Sequence, residues 1–286
     1  MMQLQKIAHD DPAMEPFQER IANVAGIAKQ LGFHYWLFVK GAQPIGFVMV
    51  GREPLQLFAP SGTPLAVVRI LDFKQAPGLL SELVSAAVTI AHEHDVDYAS
   101  VSIPDAETQL LEQWKKAGFK ELEHRFNMVR ALDTPIELIT ELRFEQVARE
   151  ELMKFLKTMK KAMTGTPDRL LNLALDSLLD ISDQFLDIWY PQELMYFAYK
   201  DSDLVGVIDL TPKQGVLNNL GVDPQHRGKG YGRQIVLFGL HKLQELELEK
   251  ASLGVAANNT VALELYKSLG FKISQQKRIL IWRKNK

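Results

Sequence analysis

Leu263-Glu264-Leu265-Tyr266-Lys267-Ser268-Leu269-Gly270-Phe271-Lys272 echoes, 152 residues on, the earlier stretch Leu111-Glu112-Gln113-Trp114-Lys115-Lys116-Ala117-Gly118-Phe119-Lys120. Helical periodicity accounts for the shared leucines and lysines. It does not account for a Gly-Phe pair at the same helix exit. The same offset lays Ala99-Ser100 on Ala251-Ser252. A second echo runs at an offset of 160. Residues 35–40 and 45–50 flank the turn Gly41-Ala42-Gln43-Pro44, and residues 195–200 and 204–210 flank Asp201-Ser202-Asp203. Lys40 then falls on Lys200 and Gly46 on Gly206. Aromatic and β-branched runs around such turns predict strand hairpins. Taken together the echoes predict an internal duplication, which sets the architecture before any motif is weighed.

Each half follows one order. Helical material precedes a hairpin. A strand (64–71; 215–222) and a long helix (79–94; 231–248) follow. Next come a strand (98–103; 251–255), a short helix ending in Gly-Phe, and a last strand (125–131; 278–283). Strands alternating with helices predict an α/β (α+β) fold, with a mixed, mostly antiparallel sheet flanked by helices in each half. The expected boundary lies at Leu132-Asp133-Thr134-Pro135, giving modules of residues 1–131 and 132–286. The second half opens with extra apolar spacing at Phe144, Val147, Leu152, Phe155, Leu156 and Met159, which predicts a helix. Thr166-Pro167-Asp168 then supplies a cap, a proline at the first turn and an acid for the next helix. This helix pair is expected to cover a core, with a substrate-pocket wall as the alternative.

The chain has 286 residues, 47% of them hydrophobic and 24% charged, with a formal net charge of −2. That composition excludes a wholly disordered chain. It also supplies no basic field for nucleic acid or an anionic membrane. With no cysteine, disulfides, thiolate metal sites and thiol nucleophiles are excluded. No run approaches the ~18 apolar residues of a membrane span, and the N-terminus does not resemble a signal peptide. A cytoplasmic location is expected. His92-Glu93-His94 would place two histidines on different sides of a helix end, so no metal site is expected there.

The chemistry concentrates at Leu220-Gly221-Val222-Asp223-Pro224-Gln225-His226-Arg227-Gly228-Lys229-Gly230-Tyr231-Gly232, between a strand and a long helix. Three glycines in five residues let the backbone turn tightly and approach a ligand. Amides at a helix N-terminus suit a phosphate. Arg227 and Lys229 add positive charge. The phosphate loop G-x-x-x-x-G-K-[ST] fails because Gly230 follows Lys229, and G-x-G-x-x-G fails because Gly232 comes one residue early.

Gln225-His226-Arg227-Gly228-Lys229-Gly230 fits [QR]-x-x-G-x-[GA], and residues 259–271 fit N-x-x-A-x-x-L-Y-x-x-x-G-F. Both patterns, in that order, resemble the GNAT superfamily of N-acetyltransferases. The resemblance covers residues 133–286 by motif and 1–131 through the repeat. It implies acetyl-coenzyme A as co-substrate, no metal, and a small-molecule or peptide amine as acceptor. It further implies that the backbone of Leu220, Gly221 and Val222 meets the pantetheine arm. The amides from Arg227 through Gly228, Lys229, Gly230, Tyr231 and Gly232 would hold the pyrophosphate, Gln225 would also belong to the coenzyme site, and Asn259 would touch the coenzyme beyond the second strand. A backbone amide near Val222 would polarise the thioester carbonyl, and Tyr266 would protonate the leaving thiolate. Many members carry a glutamate on the strand before the glycine loop as general base; residues 215–221 hold no carboxylate. Asp209, one strand earlier, is the candidate instead. A non-catalytic acyl-coenzyme A binding or sensing protein is the alternative. In the first half, residues 73–78 keep one glycine, Pro77 stands where Lys229 does, and Trp114 replaces Tyr266. Proline removes a backbone donor and indole cannot act as that acid. The first module is therefore expected to keep the fold without the coenzyme site.

Overall fold

The computed structural model describes residues 2–7, 11–17, 33–40, 43–52, 63–70, 80–179 and 181–284. The glycine-poor loop at 73–78, with Pro77, lies outside them. The chain divides into two compact units, residues 1–124 with 277–286, and residues 125–276.

In the first unit, β1 (Met2–Ile7), β2 (His34–Lys40), β3 (Gln43–Arg52), β4 (Pro64–Ile70), β5 (Tyr98–Pro104) and the last part of β12 (Lys272–Arg283) form a sheet in that order. Helices α1 (Leu80–Glu93) and α2 (Thr108–Lys116) belong to the same unit. The apolar run of β2 has both faces covered, which is why it does not alternate with polar residues. Trp36 and Phe38 enter one core with Leu83, Ile90 and Trp114, while Tyr35, Leu37 and Val39 join Phe47 and Met49 in another.

The second unit opens with the later part of β6 (Lys120–Ala131), followed by β7 (Arg143–Gln146), α3 (Leu152–Met163), α4 (Arg169–Ser177) and α5 (Asp183–Trp189). Then come β8 (Leu194–Lys200), β9 (Asp203–Thr211), β10 (Val216–Val222), α6 (Tyr231–Glu245), β11 (Lys250–Ala256) and α7 (Thr260–Ser268). Its sheet order is β6-β11-β10-β9-β8-β7. The pairs β1–β2, β2–β3, β3–β4, β5–β12, β6–β11, β9–β10, β8–β9 and β7–β8 are antiparallel, while β10–β11 here and β4–β5 in the first unit are parallel. Ile235, Phe238, Leu240 and Leu243 of α6 pack on one face of the sheet. Phe155, Leu156, Met159, Leu175 and Leu186 of α3, α4 and α5 pack on the other.

The duplication has a physical signature. Both hairpins slip register at the same place, Phe38/Val39 and Ala198/Tyr199. Both Gly-Phe pairs close a helix in the same way. Gly118 and Gly270 take φ of +92° and +84°. The amide of Phe119 donates to the Trp114 carbonyl and that of Phe271 to the Tyr266 carbonyl, while each glycine amide donates to Lys115 or Lys267. This is the Schellman closure, and the ring after the glycine folds back onto Trp114 or Tyr266.

Three expectations need correction. Phe144 lies in strand β7, and the helix starts only at Leu152, because Phe144 and Val147 share their spacing with the helix but not its hydrogen bonds. Asp168, not Thr166, caps α4, its carboxylate accepting from the Leu171 amide at 2.7 Å. The compact units do not divide at residue 131. Residues 125–131 of β6 pair with β11 inside the second unit, from Arg125↔Ala256 to Ala131↔Lys250. Residues 277–283 of β12 pair with β5 inside the first. The two repeats have exchanged their last strands. An edge needs a partner strand, and either copy's strand satisfies its hydrogen bonds equally well.

Close packing also explains Gly206. A Cβ there would sit 2.5 Å from the Gly221 carbonyl oxygen and 2.7 Å from Ile235 Cδ1. Gly206→Ala is expected to cost ~1–3 kcal/mol by overpacking between β9 and β10, measured as a lower urea midpoint with an unchanged slope.

Candidate functional site

The site begins where β10 leaves β11. Their parallel ladder holds for Val216↔Ser252 and Leu217↔Leu253 and then ends. Asn218 is an extra residue in β10, since pairing with β9 passes from Leu217↔Leu210 to Asn219↔Asp209. Such a bulge bends its strand. Beyond it, Leu220, Gly221 and Val222 stay paired to β9 on one edge only, while Gly254 to Ala256 stay paired to β6 on theirs. The facing edges are open, giving a cleft between two parallel strands. In the first unit the corresponding ladder of β4 and β5 runs for four pairs, Leu65↔Tyr98 to Val68↔Val101.

The cleft leads to the glycine loop. Asp223 caps the turn over residues 224–226, accepting from the Gln225 amide at 3.0 Å. Gly228 and Gly230 take φ of +77° and +81°, and a Cβ on either would meet nothing within 4 Å. The loop is thus an open cradle that left-handed backbone, rather than crowding, reserves for glycine. Gly230 precedes α6 without a side-chain cap, so the first-turn amides of Tyr231 and Gly232 remain available. Lys229 is exposed beside them.

Several predicted residues take other work. The Arg227 guanidinium donates to the carbonyls of Ala162 and Thr164, each at 2.9 Å, and to Val222 at 3.3 Å. It therefore satisfies the C-terminal carbonyls of α3 rather than standing free over the loop. Lys161 pairs with Asp223 at 2.5 Å and clamps the same junction. Gly221 lets α3 approach closely, for a Cβ there would lie 2.9 Å from Ala162 Cβ. The Tyr231 ring is buried in the core, and Gln225 is exposed. Asn259 caps α7, its Oδ1 accepting from the Ala262 amide at 3.2 Å.

Tyr266 sits two residues before the end of α7 and is 9% exposed. Burial pushes its hydroxyl up to about 12; Asp168 adds to that rise and Arg125 opposes it. Arg125 Nη1 and Asp168 Oδ2 form a buried ion pair at 2.8 Å. The arginine reaches it across Gly254, where a Cβ would lie 3.4 Å from Nη2. The sequence marked Asp168 only as a helix-start acid and did not mark Arg125, which belongs to the exchanged strand.

At the bulge, Asn219 donates to Asp209 Oδ2 at 2.8 Å. Asp209 is completely buried, on the β9 face that Val207 presents to α3, α4 and α5. Glu193, just before β8, accepts from Thr211 Oγ1 at 2.7 Å and from Asn218 Nδ2 at 3.0 Å. No spacing in the sequence marks Glu193; only the sheet brings it to the bulge. In the first unit, Trp114, which occupies the position of Tyr266, is fully buried, and its indole N–H has no hydrogen-bond partner among the described residues. His92 packs on Trp282 and His94 on Trp36. No helix of the described residues is long and apolar enough to cross a membrane.

Residues 168–271 match the acetyltransferase (GNAT) family. The chain is 33% identical over 103 residues to a mycothiol acetyltransferase of Mycobacteroides abscessus, which takes in 33% of this chain and 34% of that protein. The chain thus matches about a third of the length of such relatives. Among solved structures, a GCN5-related N-acetyltransferase from Sphaerobacter thermophilus superposes with a TM-score of 0.70 at 15% identity, over 99% of this chain and 95% of that one. A tandem GNAT protein from the clavulanic acid biosynthesis pathway gives 0.63 at 13% identity, over 99% and 98%. At such identities the fold is what is shared.

Proposed function

Because residues 168–271 belong to the GNAT acetyltransferase family, we propose that the protein transfers an acetyl group from acetyl-coenzyme A to a primary amine, by direct attack in a ternary complex in the cytoplasm. The observation that carries this reading is the opening between β10 and β11, which leads straight into an uncapped helix through an uncrowded glycine cradle. The coenzyme supplies an activated thioester. Amides from Gly228 to Gly232 bind its pyrophosphate, with the positive end of α6 behind them and Lys229 alongside. Arg227 holds the loop to α3 and contributes its amide rather than its charge. The open edge of Leu220 to Val222 takes the pantetheine arm by strand-like hydrogen bonds, and an amide near Val222 polarises the carbonyl. Tyr266 donates a proton to the departing sulfur. Asn259 lines the far strand. The acceptor is a small-molecule or peptide amine, and the similarity to relatives named mycothiol acetyltransferase is the reason to begin the acceptor screen with small-molecule amines. The first unit, with Trp114 at the acid position and a longer zipped ladder, serves as a non-catalytic module.

Calorimetry with acetyl-coenzyme A and thiol release over an amine panel test this. Gly228→Glu is expected to weaken coenzyme binding about 100-fold, near 2.7 kcal/mol, because it sets a Cβ and a negative charge in the cradle. Unchanged affinity in the folded variant removes the loop from the site. Binding without turnover of any amine leaves a sensing protein.

A further inference from the structure

Asp209 presents an anomaly. Its Oδ2 is held by Asn219, and Asn218 also acts on the carboxylate, but its Oδ1, equally buried, has no hydrogen-bond partner within bonding distance among the described residues. A buried carboxylate oxygen without a donor is costly, and it calls for a proton or for a ligand's N–H. Its neighbour is another carboxylate. Glu193 is half-buried, so it reaches both the protein interior and the outside. Thr211 and Asn218 fix it at the bulge, the point where β10 parts from β11.

We infer that Glu193, positioned by Thr211 and Asn218 and backed by the buried Asp209, takes the proton from the acceptor's ammonium group, an assignment that rests on the acetyl-transfer reading above. The N–H bond breaks, its electron pair stays on nitrogen as the nucleophile, and a carboxyl O–H forms on Glu193, to be released later to water. Burial, and after it the charge of Asp209, push Glu193 up to about 8, and burial pushes Asp209 up to about 6. Two neighbouring carboxylates that cannot both ionise freely titrate as a pair around neutrality. That is where a base must lie to hold a proton briefly and return it. Asp209 is the charged group acting on Glu193 among the described residues, with the Trp189 indole as a further donor. Asp209 is a positioning residue; Glu193 is the one that meets the amine.

The test uses the full chain with Glu193→Gln, Glu193→Asp and Asp209→Asn, each checked for fold by circular dichroism. Infrared difference spectra of the unliganded protein follow carboxyl protonation with pH. A protonated carboxyl band is expected to persist at pH 7 and to vanish in Glu193→Gln. Turnover of acetyl-coenzyme A is then measured against pH with a peptide N-terminus, a lysine derivative, an amino sugar and a polyamine. For the best of these, kcat/KM is expected to rise with pH through the titration of the pair. Glu193→Gln is expected to lose about 10²–10³-fold and that acidic limb, with coenzyme affinity kept. Glu193→Asp should recover part of the rate. Asp209→Asn should move the limb to lower pH, since removing a like charge eases ionisation of Glu193. A folded Glu193→Gln with wild-type rate and limb overturns the assignment alone. A wild-type protein that binds coenzyme but turns over no amine overturns the acetyl-transfer reading, and the assignment with it.

Discussion

Residues 132–286 expressed alone are expected not to form a stable domain. The cut follows the apparent end of the first repeat, yet it removes residues 125–131, the strand that pairs with β11 along its length. Three losses combine. The hydrogen-bonding edge of β11 is bared, which invites aggregation. Met128, fully buried, leaves the core beneath α6 and α7. Asp168, 5% exposed, loses its partner Arg125. Removing one partner of a buried ion pair costs ~3–5 kcal/mol, against a total stability of ~5–15 kcal/mol for an ordinary domain. With the cavity and the bare edge added, little remains. Residues 277–283, whose ladder is with β5, would also hang without a partner. A fragment of residues 120–276 restores the β6 strand and removes the orphaned tail, and it is expected to fold. Soluble yield and thermal melting of the two fragments decide the matter. A cooperative transition at wild-type temperature for 132–286 would mean that the exchange is dispensable.

Tyr266→Phe is expected to lower kcat by ~10²–10⁴ with coenzyme affinity nearly kept, the usual scale for a positioned proton donor. Stability should hardly change, because no hydrogen bond joins the hydroxyl to another described residue and the ring contact with Phe271 survives. The pH dependence is specific. A hydroxyl pushed up to about 12 stays protonated across the assay range, so wild-type kcat should show no fall on the alkaline side up to about pH 10 on account of this group. Its high value also makes it reluctant to give the proton up. Arg125, which opposes the rise, eases that step, so Arg125→Met should slow turnover as well as loosen the fold. Rapid-quench measurement of the chemical step reads the effect directly. A Tyr266→Phe variant with a wild-type chemical step makes this ring a packing residue like Trp114.

The duplication, the mixed-sheet fold and the glycine loop were legible in the amino-acid sequence because each rests on short-range rules. A Gly-Phe exit is a local hydrogen-bond pattern that any helix of that sequence forms. Gly228 and Gly230 announce left-handed backbone whatever surrounds them. Hairpins declare themselves through turns a few residues long. Even the absence of a carboxylate from residues 215–221 was visible at once.

What the sequence could not contain is which distant groups meet. Strand exchange leaves no mark on the pattern, since 125–131 and 278–283 are equally good strands for either sheet; the choice is settled by which edge each chain end reaches. Arg227 sits inside a phosphate-like motif, but its side chain goes to α3, because carbonyls at a helix end attract a cation as strongly as a ligand would. Glu193 and Asp209 are separated by a strand and a turn; the β8–β9 register, Met195↔Asp209, brings them together, and the bulge at Asn218 turns Asn218 and Asn219 onto them. Burial then decides their chemistry: the same carboxyl groups in water would be ordinary surface acids, and the low-dielectric interior behind β9 and β10 is what moves them toward neutral pH.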